Sequence, residues 1–258
     1  MNAQTSSRAL LETEEQILFS ANVGQNYHLF VALPEDYATS NQSYPVVYLL
    51  DGNVMFGMAA GLTPGLHWSR EAPELIVVGI GYDVKSFAEW GRQREREYKM
   101  PDVRDAPPDS YADRFLAALT QEIVPFIDAN YRTVPSDRSL YGYSSSGFFV
   151  LYALFQQPGA FRRYLAGSGS LYLAVPYLIE RGEHLLGRQT ADPIQLYLSV
   201  GELEDFQFPF FDTLVAYLGD GQVPGLTLIT EVFPGERHSS EGVALTYLHG
   251  LREVYKAG

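Results

Sequence analysis

Two uninterrupted apolar runs constrain the fold of this 258-residue chain more strongly than any other feature. Residues 46–50 read Val-Val-Tyr-Leu-Leu and stop at Asp51, and residues 75–81 read Leu-Ile-Val-Val-Gly-Ile-Gly. A strand that is apolar on both faces has to be covered on both faces, which is typical of the central strands of a parallel sheet. The runs therefore predict an α/β protein with helices on both sides of a mostly parallel sheet.

The rest of the chain alternates strands with helices. Residues 15–21 and 27–33 predict an antiparallel hairpin at one edge of the sheet. Further strands are predicted at residues 138–141, 164–167, 195–201 and 226–233, and helices at residues 111–131, 148–155, 210–218 and 241–255. Since no Pro-, Gly- or Ser-rich linker and no internal repeat divides the chain, we expect one domain over residues 1–258, with residues 1–14 as a flexible N-terminal arm.

Composition excludes several classes of function. The formal net charge is −13, and no run of Lys or Arg offsets it, so a nucleic-acid partner is not expected. The chain has no cysteine, which excludes disulfides, thiolate metal sites and a cysteine nucleophile. The polar N-terminus lacks the apolar segment of a signal peptide, and the apolar runs are too short to span a membrane. We therefore expect a soluble, cytoplasmic protein without membrane insertion.

A short turn between a strand and a helix carries the first candidate catalytic residue. Residues 142–147 read Gly-Tyr-Ser-Ser-Ser-Gly and lie between the strand at 138–141 and the apolar helix at 148–155. A serine on such a sharp turn, called a nucleophile elbow, is placed at a helix N-terminus with free N–H groups. The usual string is G-x-S-x-G, and here Ser146 takes its last place. A Gly- and Ser-rich turn also occurs in α/β proteins without catalysis, so the string alone leaves both interpretations open.

A serine hydroxyl becomes a good nucleophile only when a base takes its proton, and histidine is the usual base. The chain contains His28, His67, His184, His238 and His249. Only His238 directly follows the last predicted strand, in the loop at residues 234–240. Catalytic groups collect at the carboxyl ends of parallel strands, so this position favours His238 as the base. The alternative is a polar residue that caps the last helix.

The acid that orients the histidine is expected after the strand at residues 195–201. Glu202, Glu204 and Asp205 all follow that strand, and Glu204 holds the third place after the glycine. We choose Glu204, with Glu202 and Asp205 as alternatives. Each of the three could instead be a solvated loop charge.

A tetrahedral intermediate requires two N–H donors that are already in place. One donor is expected from Ser145, which follows the candidate nucleophile. The other is expected from Gly52 or Asn53, in the loop after the strand at residues 46–50. An ordinary turn explains that loop equally well.

These strings occur in an order that resembles the putative-esterase branch of the α/β-hydrolases, which includes esterase D-like enzymes and trilactone siderophore esterases. The resemblance is carried by residues 44–53, 78–82, 94–101, 142–144, 167–171 and 200–204 and by His238. It implies an α/β-hydrolase fold with Ser144 as nucleophile, His238 as base and the loop after Leu50 in the oxyanion hole, without metal or cofactor. The chain departs from the family where Ser146-Gly147 replaces a glycine pair.

The sequence indicates the substrate-binding residues less clearly than the catalytic residues. The long charged segment at residues 85–108 and the segment at 172–193 leave the sheet at strand ends, so we expect them to line or cap a pocket. Arg94 and its arginine neighbours could bind an anionic substrate, although a solvated segment balanced by Glu95 and Glu97 is the favoured interpretation. We take Arg94, Ser170 and Tyr172 as candidate substrate-binding residues. Aromatic residues near the expected site suggest an apolar acyl pocket, although core packing is their commoner use.

The sequence favours a serine carboxylesterase that acts on a small-molecule ester, and the family resemblance implies a siderophore-type or small acyl ester. An acyltransferase or thioester hydrolase on the same fold is the first alternative, because only the acceptor changes. A non-catalytic binding protein on a hydrolase scaffold is the second.

Overall fold

The computed structural model describes residues 12–100, 102–181, 193–219 and 223–256. The strands are β1 (Thr13–Ser20), β2 (Gln25–Ala32), β3 (Tyr44–Leu49), β4 (Ile76–Tyr82), β5 (Thr133–Tyr143), β6 (Arg163–Gly167), β7 (Ile194–Gly201) and β8 (Leu226–Phe233). The helices are α1 (Gly52–Trp68), α2 (Phe87–Tyr98), α3 (Ala112–Ala118), α4 (Val124–Asn130), α5 (Ser145–Gln156), α6 (Leu171–Arg181), α7 (Phe208–Leu218) and α8 (Ser240–Tyr255). A π-helical turn (Leu119–Ile123) joins α3 to α4. Residues 1–11 of the predicted arm and His184 lie outside the described residues.

The strands form one sheet in the order β1-β2-β4-β3-β5-β6-β7-β8. β1 pairs with β2 and β2 with β4 in antiparallel fashion, whereas β3 to β8 run parallel to one another. The predicted parallel sheet with an antiparallel N-terminal hairpin is thus confirmed. Because β3 to β8 point the same way, the loops that follow them meet at one rim of the sheet.

The two apolar runs are buried on both faces, as their composition predicts. In β3, Tyr48 faces one core and Leu49 faces the other, and both are fully buried. The first core is closed by α3, α4 and α5, and the second by α1 and α8. Every residue of α5 from Ser145 to Phe155 is buried, which explains why its sequence is almost entirely apolar.

Two helices lie where the sequence analysis did not place them. α1 begins at Gly52, where an ordinary turn was an open interpretation, and it contains Pro64 and three glycines with low helix propensity: Gly57, Gly61 and Gly65. α2 occupies the middle of the charged segment at residues 85–108. α1 is held by packing against the sheet and α2 by packing against α3 and α5, and helix propensity does not report such contacts.

We predict opposite effects for two glycine substitutions. In α5, a Cβ at Gly147 would lie 2.7 Å from the carbonyl oxygen of Gly167 and 3.0 Å from the Cα of Gly169, whereas no atom lies within 4 Å of such a Cβ at Gly61 in α1. Gly147→Ala should lower the free energy of unfolding by about 1–3 kcal/mol, because backbone atoms must move. Gly61→Ala should raise it by up to about 1 kcal/mol. Urea denaturation measures both, and equal effects would contradict the packing of α5 on β6.

Candidate active site

Three neighbouring strands end in an unusual backbone conformation. Asp51 after β3, Ser144 after β5 and Ser168 after β6 have φ values of 58°, 62° and 41°. Residues other than glycine rarely adopt a positive φ. Each such residue destabilises the fold by about 1–3 kcal/mol of backbone strain and persists only where the surrounding structure holds it in place. All three lie at the rim where the parallel strands end, so the strained positions mark this rim as the candidate site.

The turn at Ser144 is fixed by close backbone contacts. The N–H of Ser144 donates to Gly167 of the neighbouring strand at 2.9 Å. The hydroxyl of Ser146 accepts from the N–H of Tyr143 at 2.9 Å and lies 2.8 Å from its carbonyl oxygen. At Gly142, a Cβ would lie only 2.4 Å from the carbonyl oxygen of Ser146, so only glycine fits there. Ser146, which replaces the usual glycine of this string, is therefore accommodated by bonding to the turn itself.

The predicted histidine and one of the predicted acids are in contact. His238 lies in the loop between β8 and α8, and its Nδ1 is 2.9 Å from Oε2 of Glu204. Its ring also packs on that of Tyr143, with centroids 5.1 Å apart, next to Ser144 in the chain. Of the three candidate acids, Glu204 is buried, whereas Glu202 and Asp205 are exposed.

Glu204 is surrounded by donors. Oε1 accepts from the Ser168 hydroxyl at 2.6 Å and from the Gly201 N–H at 3.0 Å, and Oε2 accepts from Gln207 Nε2 at 2.9 Å. Burial alone would raise the pKa of Glu204, but the hydrogen bonds from His238 and these donors outweigh burial and lower the pKa to about 2. A carboxylate that stays ionised keeps the proton on Nδ1 of His238, so Nε2 is free to accept one.

The candidate oxyanion donors lie at the N-termini of two helices. Gly52 and Asn53 begin α1, and Ser145 begins α5, so their N–H groups have no acceptor within the helix. β3 and β5 are neighbours, and Leu50 donates to Tyr141 at 3.0 Å, which brings the two helix N-termini to the same part of the rim. A Cβ at Gly52 would lie 2.7 Å from the backbone of β4, so the start of α1 is pressed against the sheet.

Asn53 uses its side chain for structure. Its amide nitrogen donates to the Tyr82 carbonyl at 2.9 Å, and its amide oxygen accepts from the Tyr82 N–H at 2.8 Å. This pair fixes the start of α1 to the end of β4. Asn53 therefore offers the site its backbone N–H and not its side chain.

Arg94 differs from both interpretations that the sequence allowed. Its guanidinium forms a two-point ion pair with Asp51, at 2.8 and 2.9 Å, and lies 3.4 Å from the Tyr143 carbonyl. Asp51 is 0% exposed, Arg94 is 9% exposed, and Glu97 is 0% exposed. The solvated-segment interpretation is therefore wrong for Arg94 and Glu97, since α2 directs both side chains into the protein. Arg94 binds a carboxylate of the chain itself, Asp51, and its role as a candidate substrate-binding residue stays a prediction.

Of the two remaining candidate residues, Tyr172 lines a groove, and Ser170 lies at the start of the helix that forms one wall of it. Ser170 has a φ of 47° and begins the turn into α6, where its carbonyl accepts from Leu173 at 2.8 Å. Tyr172 packs edge-to-face on Phe206 with ring centroids 5.8 Å apart. Tyr172 and Phe206 line an open groove of about 720 Å³ between α6 and α7, together with Tyr177, Phe210, Pro176 and Arg104. The segment at residues 172–193 thus contributes to a pocket wall through its described part.

Sequence reasoning missed several partners of the site residues. Ser168 and Gln207 bind Glu204, and Glu95 accepts from the Ser145 hydroxyl at 2.7 Å. Ser168 and Glu95 are separated from their partners by 36 and 50 residues, so no local pattern could have identified them. Across the described ranges, no group of three His, Asp or Glu side chains is placed to hold a metal ion, and no helix is long and apolar enough to cross a membrane.

Comparison with known proteins gives a family match. A family model described as putative esterase matches residues 20–210. Ferri-bacillibactin esterase BesA of Bacillus subtilis is 30% identical over 210 residues, which cover 74% of this chain and 71% of that protein. Siderophore triacetylfusarinine C esterase of Aspergillus fumigatus is 31% identical over 173 residues, which cover 63% of this chain and 57% of that protein.

Solved structures show the same fold. The BES protein from Bacillus cereus superposes with a TM-score of 0.86 at 24% identity, with 100% of each chain covered. An IroE-like serine hydrolase from Shewanella oneidensis superposes with a TM-score of 0.81 at 26% identity, with 95% of this chain and 80% of that chain covered. These likenesses confirm the predicted α/β-hydrolase fold.

The environment of Glu204 predicts how stability depends on pH. A carboxyl whose pKa is lowered from 4.5 to about 2 contributes stability above pH 4.5 and loses that contribution as the pH falls towards 2. Glu204→Gln should therefore lose less stability than the wild type between pH 4.5 and 2. Denaturation at a series of pH values measures this slope. Glu202→Gln, at an exposed carboxyl two residues away that accepts from the Gly235 N–H at 2.7 Å, is measured in parallel, and a change in slope as large as that of Glu204→Gln would contradict the special environment of Glu204.

Proposed function

Since this chain belongs to the putative esterase family, we propose that it is a serine carboxylesterase that hydrolyses a carboxylic ester through an acyl-enzyme intermediate. Ser144 is the nucleophile, His238 the general base and Glu204 the acid that orients the histidine. The contact of 2.9 Å between His238 Nδ1 and Glu204 carries the proposal, because it leaves Nε2 of the histidine available beside the elbow. We propose further that residues 1–258 act as one domain.

In the first half of the reaction, Nε2 of His238 takes the proton from the Ser144 hydroxyl as the oxygen attacks the ester carbonyl. The carbonyl oxygen becomes negative and receives the N–H of Ser145 and that of Gly52 or Asn53. The tetrahedral intermediate then collapses. The bond to the alcohol oxygen breaks, His238 gives its proton to that oxygen, and the acyl group remains on Ser144.

The second half repeats these steps with water. His238 takes a proton from water as its oxygen attacks the acyl-enzyme, and the same N–H groups stabilise the second tetrahedral intermediate. The bond to Ser144 breaks, the proton returns to the serine oxygen, and the carboxylic acid leaves. Throughout, the ionised Glu204 stabilises the imidazolium form of His238.

For the substrate, we propose an ester of the siderophore type whose acyl part carries aromatic rings. BesA is named a ferri-bacillibactin esterase, and the Aspergillus relative is named a siderophore triacetylfusarinine C esterase. The aromatic groove beside Tyr172 and Phe206 supports this choice, because aromatic rings pack favourably edge-to-face or offset on one another. The partner of the protein is accordingly a small molecule, and the net charge of −13 opposes binding to nucleic acid.

Replacement of the nucleophile tests the mechanism. Ser144→Ala should lower kcat for a p-nitrophenyl ester by about 10⁴-fold or more and should abolish labelling by a fluorophosphonate, because no other activated hydroxyl is proposed. A circular dichroism spectrum verifies that the variant is folded. Ser69→Ala, at the exposed end of α1, is the matched control and should keep full activity. Substantial turnover or labelling of Ser144→Ala would reject the nucleophile.

The same assay tests the acid. Glu204→Gln should lower kcat by about 10²–10⁴-fold, because the amide cannot stabilise the imidazolium as a carboxylate does. Glu202→Gln and Asp205→Asn should stay close to the wild type. A large loss of kcat in either of these two, with Glu204→Gln active, would move the role to that residue.

Removal of an aromatic ring tests the groove. Tyr172→Ala should raise KM for a catecholate trilactone about tenfold and leave KM for p-nitrophenyl acetate nearly unchanged, because only the larger substrate reaches the groove. Trp68→Ala removes an exposed aromatic side chain from the end of α1 and serves as the control for both substrates. If Tyr172→Ala changed KM equally for both substrates, Tyr172 would act through the folding of the protein and not through contact with the acyl group of the larger substrate.

A further inference from the structure

Glu97 is a fully buried carboxyl that the proposed reaction does not use. It lies near the end of α2 and is 0% exposed. Its Oε1 accepts from the hydroxyl of Tyr27 and, at 3.3 Å, from Gln25 Nε2, and its Oε2 accepts from the hydroxyl of Tyr82. Burying a carboxyl group is costly, so a side chain held in this way by three donors calls for a reason beyond packing.

The hydrogen bonds continue from Glu97 to the candidate oxyanion hole. The hydroxyls of Tyr82 and Tyr98 are 3.0 Å apart, and the hydroxyl of Tyr98 accepts from the backbone N–H of Asp51 at 3.1 Å. Asp51 directly precedes Gly52 and Asn53, which begin α1. Tyr98 thus connects the buried carboxyl to the peptide that leads into the proposed oxyanion donors.

Tyr82 also contacts the start of α1 directly, through its backbone. Its backbone N–H and carbonyl are the two partners of the Asn53 amide, at 2.8 and 2.9 Å. A side chain that fixes the ring of Tyr82 therefore also fixes the strand end to which Asn53 is attached. Two separate connections, one through Tyr98 and one through the backbone of Tyr82, run from Glu97 to the start of α1.

We infer that Glu97 is a positioning residue of the esterase site: through the hydroxyls of Tyr82 and Tyr98 it holds the Asp51 peptide, and with it the oxyanion donors Gly52 and Asn53. This inference rests on the proposed function, because it assigns a role to the same oxyanion hole. Glu97 itself contacts no reacting atom.

The positioning role depends on the charge of Glu97, because a proton on its carboxyl group changes which of the Tyr82 and Tyr98 hydroxyls can donate a hydrogen bond. In the structure the Tyr82 hydroxyl is placed to donate both to Oε2 of Glu97 and to Tyr98, and its single hydrogen can serve only one of them. When Glu97 is ionised, Oε2 can only accept, so Tyr82 donates to the carboxylate. The oxygen of Tyr82 can then accept from Tyr98, which itself accepts from the Asp51 N–H. Each bond in such a series strengthens the next. A proton on Oε2 reverses the order, because Tyr82 must then donate to Tyr98, whose oxygen accepts twice. The hold on the Asp51 peptide is therefore tighter with the ionised carboxylate.

The residues around Glu97 raise its pKa into a pH range in which enzyme activity can be measured. Burial raises the pKa of Glu97 to about 8; the Tyr27 and Tyr82 hydroxyls oppose the rise, and the Asp51 carboxylate adds to it. The titratable and charged groups that face Glu97 from β2, β4, the β3–α1 loop, α2 and the start of α3 are Tyr27, Tyr82, Asp51, Arg94, Arg96, Tyr98 and Tyr111. The raised pKa also means that a stability contribution of Glu97, complete below pH 4.5, is lost as the pH rises through about 8.

The test is the dependence of kcat on pH between 6 and 10 for hydrolysis of a p-nitrophenyl ester. In the wild type, kcat should show an ionisation in addition to that of the catalytic base, with a rise of roughly two- to fivefold as Glu97 loses its proton. Glu97→Gln should lack this second rise, and KM should change little. Tyr98→Phe should also lack the rise, although its stability should still fall as the pH passes through about 8, since Glu97 still titrates.

Tyr131→Phe is the matched control, because Tyr131 donates a hydrogen bond of the same kind to Glu14, away from the site. It should keep both ionisations. A second rise that persists in Glu97→Gln, or in Tyr98→Phe if Glu97→Gln does not fold, would overturn the inference. Ser144→Ala, measured in parallel, separates the two proposals. Activity in that variant would reject the esterase mechanism, whereas its inactivity together with unchanged pH profiles would reject the role of Glu97 alone.

Discussion

The buried ion pair between Asp51 and Arg94 is the interaction on which the arrangement of the site depends. It joins the start of α1 to α2, and the same guanidinium reaches the carbonyl of Tyr143 at the elbow. Removal of one partner of a buried pair typically costs about 3–5 kcal/mol, because the other charge stays buried without compensation. The two helix N-termini that would stabilise an oxyanion are therefore held together by an electrostatic contact behind them.

The sheet supplies the second constraint, since it delivers separate parts of the chain to one rim. The positive φ angles of Asp51, Ser144 and Ser168 each cost strain energy, and each of these residues is held by a hydrogen bond that its backbone N–H donates to a neighbouring element. The acceptors belong to different strands and helices. The strained backbone can exist only once the sheet and its two cores are complete, so the precision of the site derives from the stability of the whole fold.

Particular residues show where sequence reasoning works and where it fails. The apolar runs in β3 and β4 predict the buried parallel sheet, and strand order along the chain predicts that Ser144, Glu204 and His238 follow strands that end at one rim. Helix α1 was missed because its glycines lower helix propensity and only packing holds it. Glu97 was interpreted as solvated because charge normally indicates exposure, and its partner Tyr27 lies 70 residues away in the chain.

The four hydrogen bonds to Glu204 orient the groups around its carboxylate as soon as the protein is folded. Both carboxylate oxygens are already occupied by His238, Ser168, Gln207 and the Gly201 N–H, so the group has no lone pair left for a water molecule to take up. In the proposed reaction the imidazole becomes a cation, and the dipoles around the carboxylate are already oriented for it. Under that proposal the reorganisation energy of the charge-separated state is supplied during folding and is not part of each turnover.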